Sequence, residues 1–474
     1  MIHPIDLFIF VVYMLLMLAI GWYFFKRNQS EEDYYVCGRN MGAWHIGLSV
    51  VATDVGGGFS IGLGGLGFTM GIAGSWMLFT GLIGAWLAAC LLIPKVFELS
   101  KQTKLFTFPQ VFLNLFGKKA AFMAAVISLI GYLGFTSSQL LAGAKLASGT
   151  FPTLSMNYAL IIMGFIAVVY TVLGGLKAVI YTDTVQWIIL LSGLIFIGLP
   201  MSYYAVGGYE TIQSVLSPEM LSLKNIKPAQ IINWALTIIP IWFIGMTLYQ
   251  RIYASRDEKT AKKAWFIAGL FEWPVMAFLG VSLGLMAKVA AHQGMFLHLG
   301  FGPTHMPDPE IGLPMLLSNI LPVGLLGLMM SAYFSAILST ADSCLMAASG
   351  NLTTDLLPAS VNRDPKKMLR ASQIATLVLG SLAIGIALYL ESVLELMLLS
   401  YAFMVSGLLV PLVAGLFFNQ RSPSASIASM TVGGGLTLFL TLMNYDLIFG
   451  FDPIIFGLSA SFISFIICSN IKFK

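Results

Sequence analysis

Charged residues are scarce in this chain: aspartate, glutamate, lysine and arginine make up only 10% of its 474 residues, whereas 58% are hydrophobic. A soluble domain of this size needs a much larger polar fraction to cover its surface. The composition therefore excludes a soluble protein and predicts a polytopic membrane protein. The net charge of +4 says little about partners, because the charges fall in loops between apolar runs.

Cysteines are also few, and Cys37, Cys90, Cys344 and Cys468 lie far apart. They have neither metal-ligand spacing nor the pattern of a disulfide framework. We expect no cleavable signal peptide, since no basic residue precedes the first apolar run and no small-residue cleavage site follows it. A nucleotide-binding loop and a soluble domain are lacking as well, so we expect no nucleic-acid partner.

Apolar segments long enough to cross a bilayer make up most of the chain. The run between 157 and 204 exceeds one span and is interrupted by Gly174, Gly175 and Lys177, so we divide it in two. The sequence thus predicts thirteen transmembrane helices, near 4–26, 42–70, 72–97, 119–147, 157–175, 178–204, 229–250, 264–290, 318–356, 368–391, 393–418, 424–443 and 452–471.

Basic residues test this count, because cytoplasmic loops of membrane proteins are enriched in lysine and arginine. With thirteen spans, 21 basic residues fall in loops on one side and three on the other, and Lys145 lies within a span. This asymmetry predicts an external N-terminus and a cytoplasmic C-terminus in the cytoplasmic membrane.

The second predicted span carries one carboxylate, Asp54, just before three consecutive glycines, Gly56 to Gly58. Glycine loses the most backbone freedom on ordering, so we predict two half-helices, 43–53 and 58–70, joined by unwound backbone. Freed carbonyls at membrane depth can hold a cation, and a half-helix N-terminus can face an anionic group. The alternative is a glycine-rich packing face with Asp54 paired to a lysine.

The seventh predicted span is interrupted too, because Pro240 removes a helical hydrogen bond. Interrupted helices five spans apart indicate an inverted-repeat transporter, since an odd offset reverses the orientation of the second repeat. We therefore predict a peripheral first helix and cytoplasmic loop over 1–41, repeats over 42–204 and 205–418, and two peripheral helices over 419–474.

The ninth span contains Ser331, Ser335, Ser339 and Ser343, which recur every four residues along one helix face. A stripe of small residues is also what close helix packing in a membrane needs. Thr340 and Asp342 beside it add oxygen ligands of the kind that a hard cation such as sodium prefers. In the sixth span, Asp183 is either an acid near a helix N-terminus or an ion ligand.

Five motifs together resemble the sodium:solute symporter family over nearly the whole chain: Asp33–Arg39, Ala52–Asp54, Gly174–Gln186, Gln250–Arg251 and Ser339–Ser343. The resemblance implies an all-α membrane protein with a five-plus-five inverted-repeat, LeuT-like core. It also implies sodium-coupled uptake of a small solute.

Carried over by residue, the resemblance implies a sodium site formed by the backbone carbonyls of Ala52, Val55 and Ala336 with the hydroxyls of Ser339 and Thr340. Some members hold a second sodium at positions that correspond here to Asp183, Ser339, Asp342 and Ser343. Asp342 replaces a serine of some relatives, so two acids there bind an ion or share a proton.

The solute site is less defined. Gly56–Gly58 followed by an aromatic resembles the choline branch, which has a tryptophan where this chain has Asp54, and the serine of the proline branch is replaced by Gly56. Each aromatic candidate is alternatively a core or interfacial residue. The expected lining is Asp54, Gly57, Phe59, Ser60, Trp76, Phe79, Phe135, Gln139, Trp242 and Tyr401. Glu272 is a candidate partner for Lys145.

The sequence favours a monomeric sodium-coupled symporter that imports an amino acid or another amine-bearing metabolite, because Asp54 favours a solute with an amino or quaternary ammonium group. Coupled uptake of a carboxylate, a sugar or sialic acid is the alternative within the class. An ion channel needs an open polar file, which few spans supply. An enzyme needs a nucleophile with a base or a metal cluster, and no histidine lies near the centre of a predicted span, since His45 is at the start of the second one.

Overall fold

The protein, a computed structural model, is described over residues 3–25, 36–103, 105–151, 154–173, 176–357, 365–443 and 447–470. Helices dominate these ranges, and the extended pairings among them are isolated bridges, Met41 with Ser255 and Gly302 with His305. The predicted split between 157 and 204 falls at Gly174 and Gly175, which lie outside the described residues. The fold class is therefore all-helical, as predicted.

The α-helices of the described chain are α1 (Pro4–Phe25), α2 (Ala43–Met70), α3 (Trp76–Leu87), α4 (Ile93–Gln102), α5 (Pro109–Phe116), α6 (Lys118–Thr150), α7 (Met156–Leu173), α8 (Leu176–Gly193), α9 (Leu199–Ala205), α10 (Gly208–Val215), α11 (Pro228–Ile244), α12 (Met246–Ala254), α13 (Glu258–Leu270), α14 (Ala277–His292), α15 (Pro309–Ile320), α16 (Leu325–Gly350), α17 (Pro365–Ala387), α18 (Val393–Phe417), α19 (Pro423–Met443) and α20 (Pro453–Asn470). Short π-helical segments join α3 to α4, α8 to α9 and α13 to α14, and another follows α16.

Nine helical stretches of the described residues are long and apolar enough to cross a membrane, or ten when α11 and α12 count as one bent span. Two shorter apolar helices, Pro4–Ile20 and Met156–Val172, lie within α1 and α7. The protein is therefore a multi-pass membrane protein.

Helix α2 breaks at a single residue, Gly56, whose φ of 34° and ψ of −157° interrupt an otherwise helical segment. The break lies where the sequence predicts it, but the linker is shorter than the predicted 54–57. A Cβ atom at Gly56 would lie 2.5 Å from Thr340 Oγ1, so glycine here also permits close approach of α16. Both the positive φ and the close approach require glycine.

The break in the seventh span lies at Gly245 and not at Pro240, which α11 accommodates within its length. Gly245 has extended backbone angles (φ −65°, ψ 114°), and α11 and α12 meet there at 42°. The Tyr249 hydroxyl donates to the Phe243 carbonyl at 2.9 Å, which satisfies one carbonyl near the bend. Proline removes one hydrogen bond, whereas Gly245 ends the helix by its backbone angles.

A third irregularity, which the sequence analysis did not predict, lies between α13 and α14. Trp273 has non-helical angles (φ −138°, ψ 124°) inside the π-helical segment Phe271–Met276. Glu272 is in this segment and is fully buried. π-Helical segments are frequent at functional sites, so Glu272 is a candidate site residue.

Helix α16 forms the centre of the bundle, and 89% of its most apolar stretch is buried. It packs against α2, α6, α8 and α1. At its N-terminal end, Asp6 of α1 accepts hydrogen bonds from the Gly324 and Gly327 N–H groups at 2.7 and 2.8 Å. A carboxylate at this end satisfies free donors and interacts favourably with the helix dipole.

Candidate functional site

Thr340 of α16 lies against the break in α2. Its hydroxyl oxygen is 3.0 Å from the Ala52 carbonyl oxygen and 3.2 Å from the Ala336 carbonyl oxygen, and it donates to both. Three of the five residues expected at the sodium site are thus in direct contact. The side chain of Val55 lies outside what the structure describes.

Ser339 faces a different neighbour, because adjacent residues of a helix point about 100° apart. Its hydroxyl donates to Asp183 Oδ1 of α8 in a short contact. The other carboxylate oxygen of Asp183 accepts from Ser49 of α2 at 2.5 Å and lies 3.6 Å from Arg251 Nη2. Asp183 is fully buried, so it belongs to a charge pair and not to a solvated helix end.

Arg251 of α12 lies in the motif Gln250–Arg251 and is not among the site residues that the sequence predicts, and the structure places it at the centre of this network. It is fully buried, and its guanidinium donates to Ser49 Oγ at 3.0 Å, Thr53 Oγ1 at 2.5 Å and Ser343 Oγ at 3.1 Å. The Thr247 carbonyl accepts a further bond at 3.1 Å. The signal available in the sequence was a lone arginine at the end of an apolar span.

The four residues expected at the second cation site therefore do not all contact one another, and several of them contact other side chains. Ser339 contacts Asp183, and Ser343 contacts Arg251. Asp342 instead accepts from the Thr171 hydroxyl of α7 at 2.5 Å, and its Oδ2 accepts no hydrogen bond within the described chain. The guanidinium of Arg251 already supplies a positive charge next to Asp183.

Asp54, two residues before the break, is 5% exposed and interacts with two side chains from other helices. One is Glu272 of the irregular α13–α14 segment and the other is Tyr401 of α18, and both lie within hydrogen-bond reach of Asp54. Asp54 Oδ2 and both carboxyl oxygens of Glu272 accept no bond from an N–H or O–H group of the described residues. The centre of the bundle thus holds two adjacent carboxyl groups.

Several other expected solute residues lie near this acid pair. The Phe135 ring packs edge-on against Tyr401 with 5.0 Å between centroids. The Gly57 N–H donates to the Gln139 side-chain oxygen at 3.0 Å, and the Ser60 hydroxyl donates to the Gly56 carbonyl at 2.6 Å. The N-terminal end of the second half-helix therefore already has a hydrogen-bond acceptor, the Gln139 side chain.

Other expected lining residues face elsewhere. The Trp76 indole donates to the Leu223 carbonyl at 2.9 Å, in the loop before α11, and Phe79 packs against Trp76 and Trp273. Trp242 packs against Trp265, which matches the core alternative. The side chain of Phe59 lies outside the described residues.

A vestibule of about 790 Å³ opens at one end of the bundle, beside the C-terminal half of α2. It is lined by Gly62 and Met70 of α2 and reaches Ala402, the residue after Tyr401. On its wall, Lys145 of α6 lies 2.6 Å from Asp308 and 2.7 Å from Glu310. The prediction that Glu272 pairs with Lys145 is therefore wrong, because Lys145 is held by the acids that precede and begin α15.

The chain is similar to known proteins over most of its length. Residues 34–433 match the model of the Sodium:solute symporter family. The osmoregulated proline transporter OpuE of Bacillus subtilis is 28% identical over 97% of this chain and 93% of its own length. The sodium/glucose cotransporter of Vibrio parahaemolyticus is 25% identical over 94% of this chain and 86% of its own length.

Solved structures share the fold. A Na+-coupled sialic acid symporter in a substrate-bound outward-open state superposes with a TM-score of 0.79 at 20% identity, over 98% of this chain and 97% of that one. Mhp1, a nucleobase-cation-symport-1 family transporter, gives 0.58 at 12% identity over 93% and 94%. Both are LeuT-fold transporters, and identities this low show the fold alone.

Proposed function

Because the chain belongs to the sodium:solute symporter family and is a sodium-coupled symporter for small solutes, we propose that it imports an amine-bearing metabolite by alternating access. The contact of Thr340 with the broken helix α2 is the single observation that supports this proposal most directly. The ion-binding hydroxyl and the solute-binding acid then lie on either side of Gly56. Binding at one place therefore affects the other.

The proposed sodium site consists of the carbonyls of Ala52, Val55 and Ala336 and the hydroxyls of Thr340 and Ser339. Thr340 supports it, because one hydroxyl oxygen lies next to carbonyls of two helices. A sodium ion there would attract those oxygens in place of the hydroxyl proton. Ion binding would then hold α2 against α16 and favour the conformation that binds solute.

We propose a second cation site at Asp183, Ser339, Asp342 and Ser343 that forms only when Arg251 moves away from Asp183. Arg251 interacts with both Asp183 and Ser343, so a sodium ion at Asp183 has to replace the guanidinium. This requires movement of α12, which begins at the bend at Gly245. In the state described, the arginine fills the role of the second cation.

For topology we propose thirteen spans with the N-terminus outside, repeats over 42–204 and 205–418, and peripheral segments over 1–41 and 419–474. The breaks at Gly56 and Gly245 support the repeat assignment, because they lie in the second and seventh spans. Gly47 packs against Ala264 and Ile267, so the basic residues Lys259, Lys262 and Lys263 lie at the end of the bundle opposite to the vestibule. The vestibule is then external.

In the proposed cycle, sodium and solute enter from the vestibule, and rocking of the two repeats exposes them to the cytoplasm. Each sodium charge that moves inward gains about 2.3 kcal/mol per 100 mV of membrane potential. An ion channel is not favoured, since Asp54 and Glu272 are buried at the centre of the bundle.

Proteoliposomes that contain the purified protein test this function. Uptake of radioactive sodium should rise when solute is added outside and should saturate, and preloading with solute should accelerate exchange. Sodium flux that is linear in concentration and independent of solute would instead identify a channel.

A further inference from the structure

The carboxyl groups of Asp54 and Glu272 lie within hydrogen-bond reach of each other at the centre of the bundle. Asp54 Oδ2 and both oxygens of Glu272 accept no bond from an N–H or hydroxyl group of the described chain, so a proton shared by the two acids still leaves one negative charge and unfilled acceptor positions. The two residues are 5% and 0% exposed. Buried carboxylates need hydrogen-bond donors or a cation nearby, so these oxygens indicate a binding position for a positively charged group.

The buried basic side chains of the described residues, Lys145 and Arg251, are engaged elsewhere. Lys145 is held between Asp308 and Glu310, and Arg251 pairs with Asp183 and donates to four further oxygens. The Gly57 N–H, which a solute carboxylate would use at the half-helix end, already donates to Gln139. The site is therefore rich in acceptors and poor in groups that bind an anion.

The titratable side chains that line the vestibule are mainly acidic, as Asp54 and Glu272 are. Among the described residues, they are one amine, Lys145, and the carboxyls of Asp308, Glu310, Glu391, Glu395 and Asp452. Burial raises the pKa of Asp452, and even with that group protonated four carboxylates face one amine. A cleft lined by one sign of charge concentrates solutes of the opposite sign.

We propose that the solute is a small organic cation, an amine or guanidine with net positive charge at neutral pH and at least two N–H donors. Glu272 is the second carboxylate that binds it, together with Asp54. The N–H groups satisfy the three acceptor oxygens, whereas a quaternary ammonium has no donor for them. The inference depends on the proposed sodium symport and specifies its solute class.

The charge of the solute can be tested before the solute is known. A neutral-pH metabolite extract is separated on a cation exchanger, and each fraction is added to proteoliposomes that report uptake of radioactive sodium. We expect the stimulating activity in the retained fraction, with mass spectrometry identifying an amine or guanidine.

Activity in the unretained or anionic fractions, or a quaternary ammonium as the active compound, would overturn the inference while leaving sodium symport intact. Uptake driven by external acid without any solute would show that the acid pair binds a proton, and would overturn it too. Stimulation by no fraction would contradict the proposed import of an amine-bearing metabolite and overturn the inference with it.

Glu272→Gln tests the second carboxylate with the retained fraction or the compound identified in it. Loss of a charge-assisted contact should raise the solute concentration for half-maximal sodium uptake about 10- to 100-fold, as should Asp54→Asn. Thermal stabilisation by sodium alone should match the unmodified protein for Glu272→Gln. Glu98→Gln is the matched control, since Glu98 is exposed and pairs with Lys95.

An unchanged solute requirement in Glu272→Gln would exclude Glu272 from the site. If this variant fails to fold, the fractionation with the unmodified protein still decides the charge of the solute.

Discussion

At the scale of single residues, Ser339 and Thr340 are adjacent in the chain but form hydrogen bonds with different helices. Thr340 contacts the Ala52 carbonyl at the break of α2, whereas Ser339 contacts Asp183 of α8. Helix geometry requires this divergence, because neighbours on a helix point to different faces. The sequence predicts both hydroxyls at one sodium ion, and in the state described each donates to a different helix.

The Ser339→Ala, Thr340→Ala double variant removes both hydroxyls and keeps the carbonyls. We expect the sodium concentration for half-maximal uptake to rise about tenfold or more, since a lost ligand contact is worth roughly 1.5–3 kcal/mol. Ser335→Ala, one turn earlier and facing Met14, is the control. Unchanged sodium dependence in the double variant would exclude this pair from the sodium site.

Arg251 and Asp183 form a buried charge pair with one member in each proposed repeat. Arg251→Met should lower the melting temperature by many degrees, because breaking a buried pair costs about 3–5 kcal/mol. Adding Asp183→Asn should recover much of the loss, since the uncompensated charge is then removed. Tryptophan fluorescence during heating provides the measurement.

Arg256→Met is the control for this pair, because the Arg256 side chain is exposed and pairs with its neighbour Asp257. Equal melting temperatures for Arg251→Met with and without Asp183→Asn would show that the pair does not carry the stability assigned to it.

At the scale of elements, the break in α2 determines how closely α16 approaches. Gly56→Ala places a methyl group 2.5 Å from Thr340 Oγ1 and forces a positive φ on a residue with a side chain. We expect sodium-dependent uptake to fall below one tenth, with α2 and α16 pushed apart. Uptake assays with matched amounts of reconstituted protein provide the measurement.

Gly435→Ala is the matched control, because Gly435 lies within α19 and no atom lies within 4 Å of the added methyl group. Alanine there should be neutral or slightly stabilising, since it favours helix over glycine. Wild-type uptake in Gly56→Ala would mean that the contact with Thr340 is dispensable.

At the scale of the whole molecule, the proposed topology places the vestibule outside and most basic loops inside. Single cysteines at Lys224 and Lys366, introduced after the four native cysteines are replaced, test it in intact cells. The Lys224 site should react with an impermeant thiol reagent, and the Lys366 site only after the membrane is opened. Reaction of the Lys366 site from outside would contradict the orientation.

The sequence by itself determined the membrane class, the all-helical fold, the family and the position of the break in α2. These features depend on local quantities: the apolar content of a segment, the backbone freedom of consecutive glycines and the order of short motifs. The second break was predicted at Pro240 and lies at Gly245. Proline is a strong local signal for a helix break, whereas no local signal in the sequence indicates that Gly245 adopts an extended backbone.

Only the tertiary structure decided which buried charges meet. Lys145 pairs with Asp308 and Glu310, Asp183 with Arg251, and Asp54 lies beside Glu272. Each partner comes from a different helix, and one sequence does not specify which faces of distant helices turn toward each other. Because a buried charge is stabilised by its neighbours in space, the character of this site depends on packing more than on any motif.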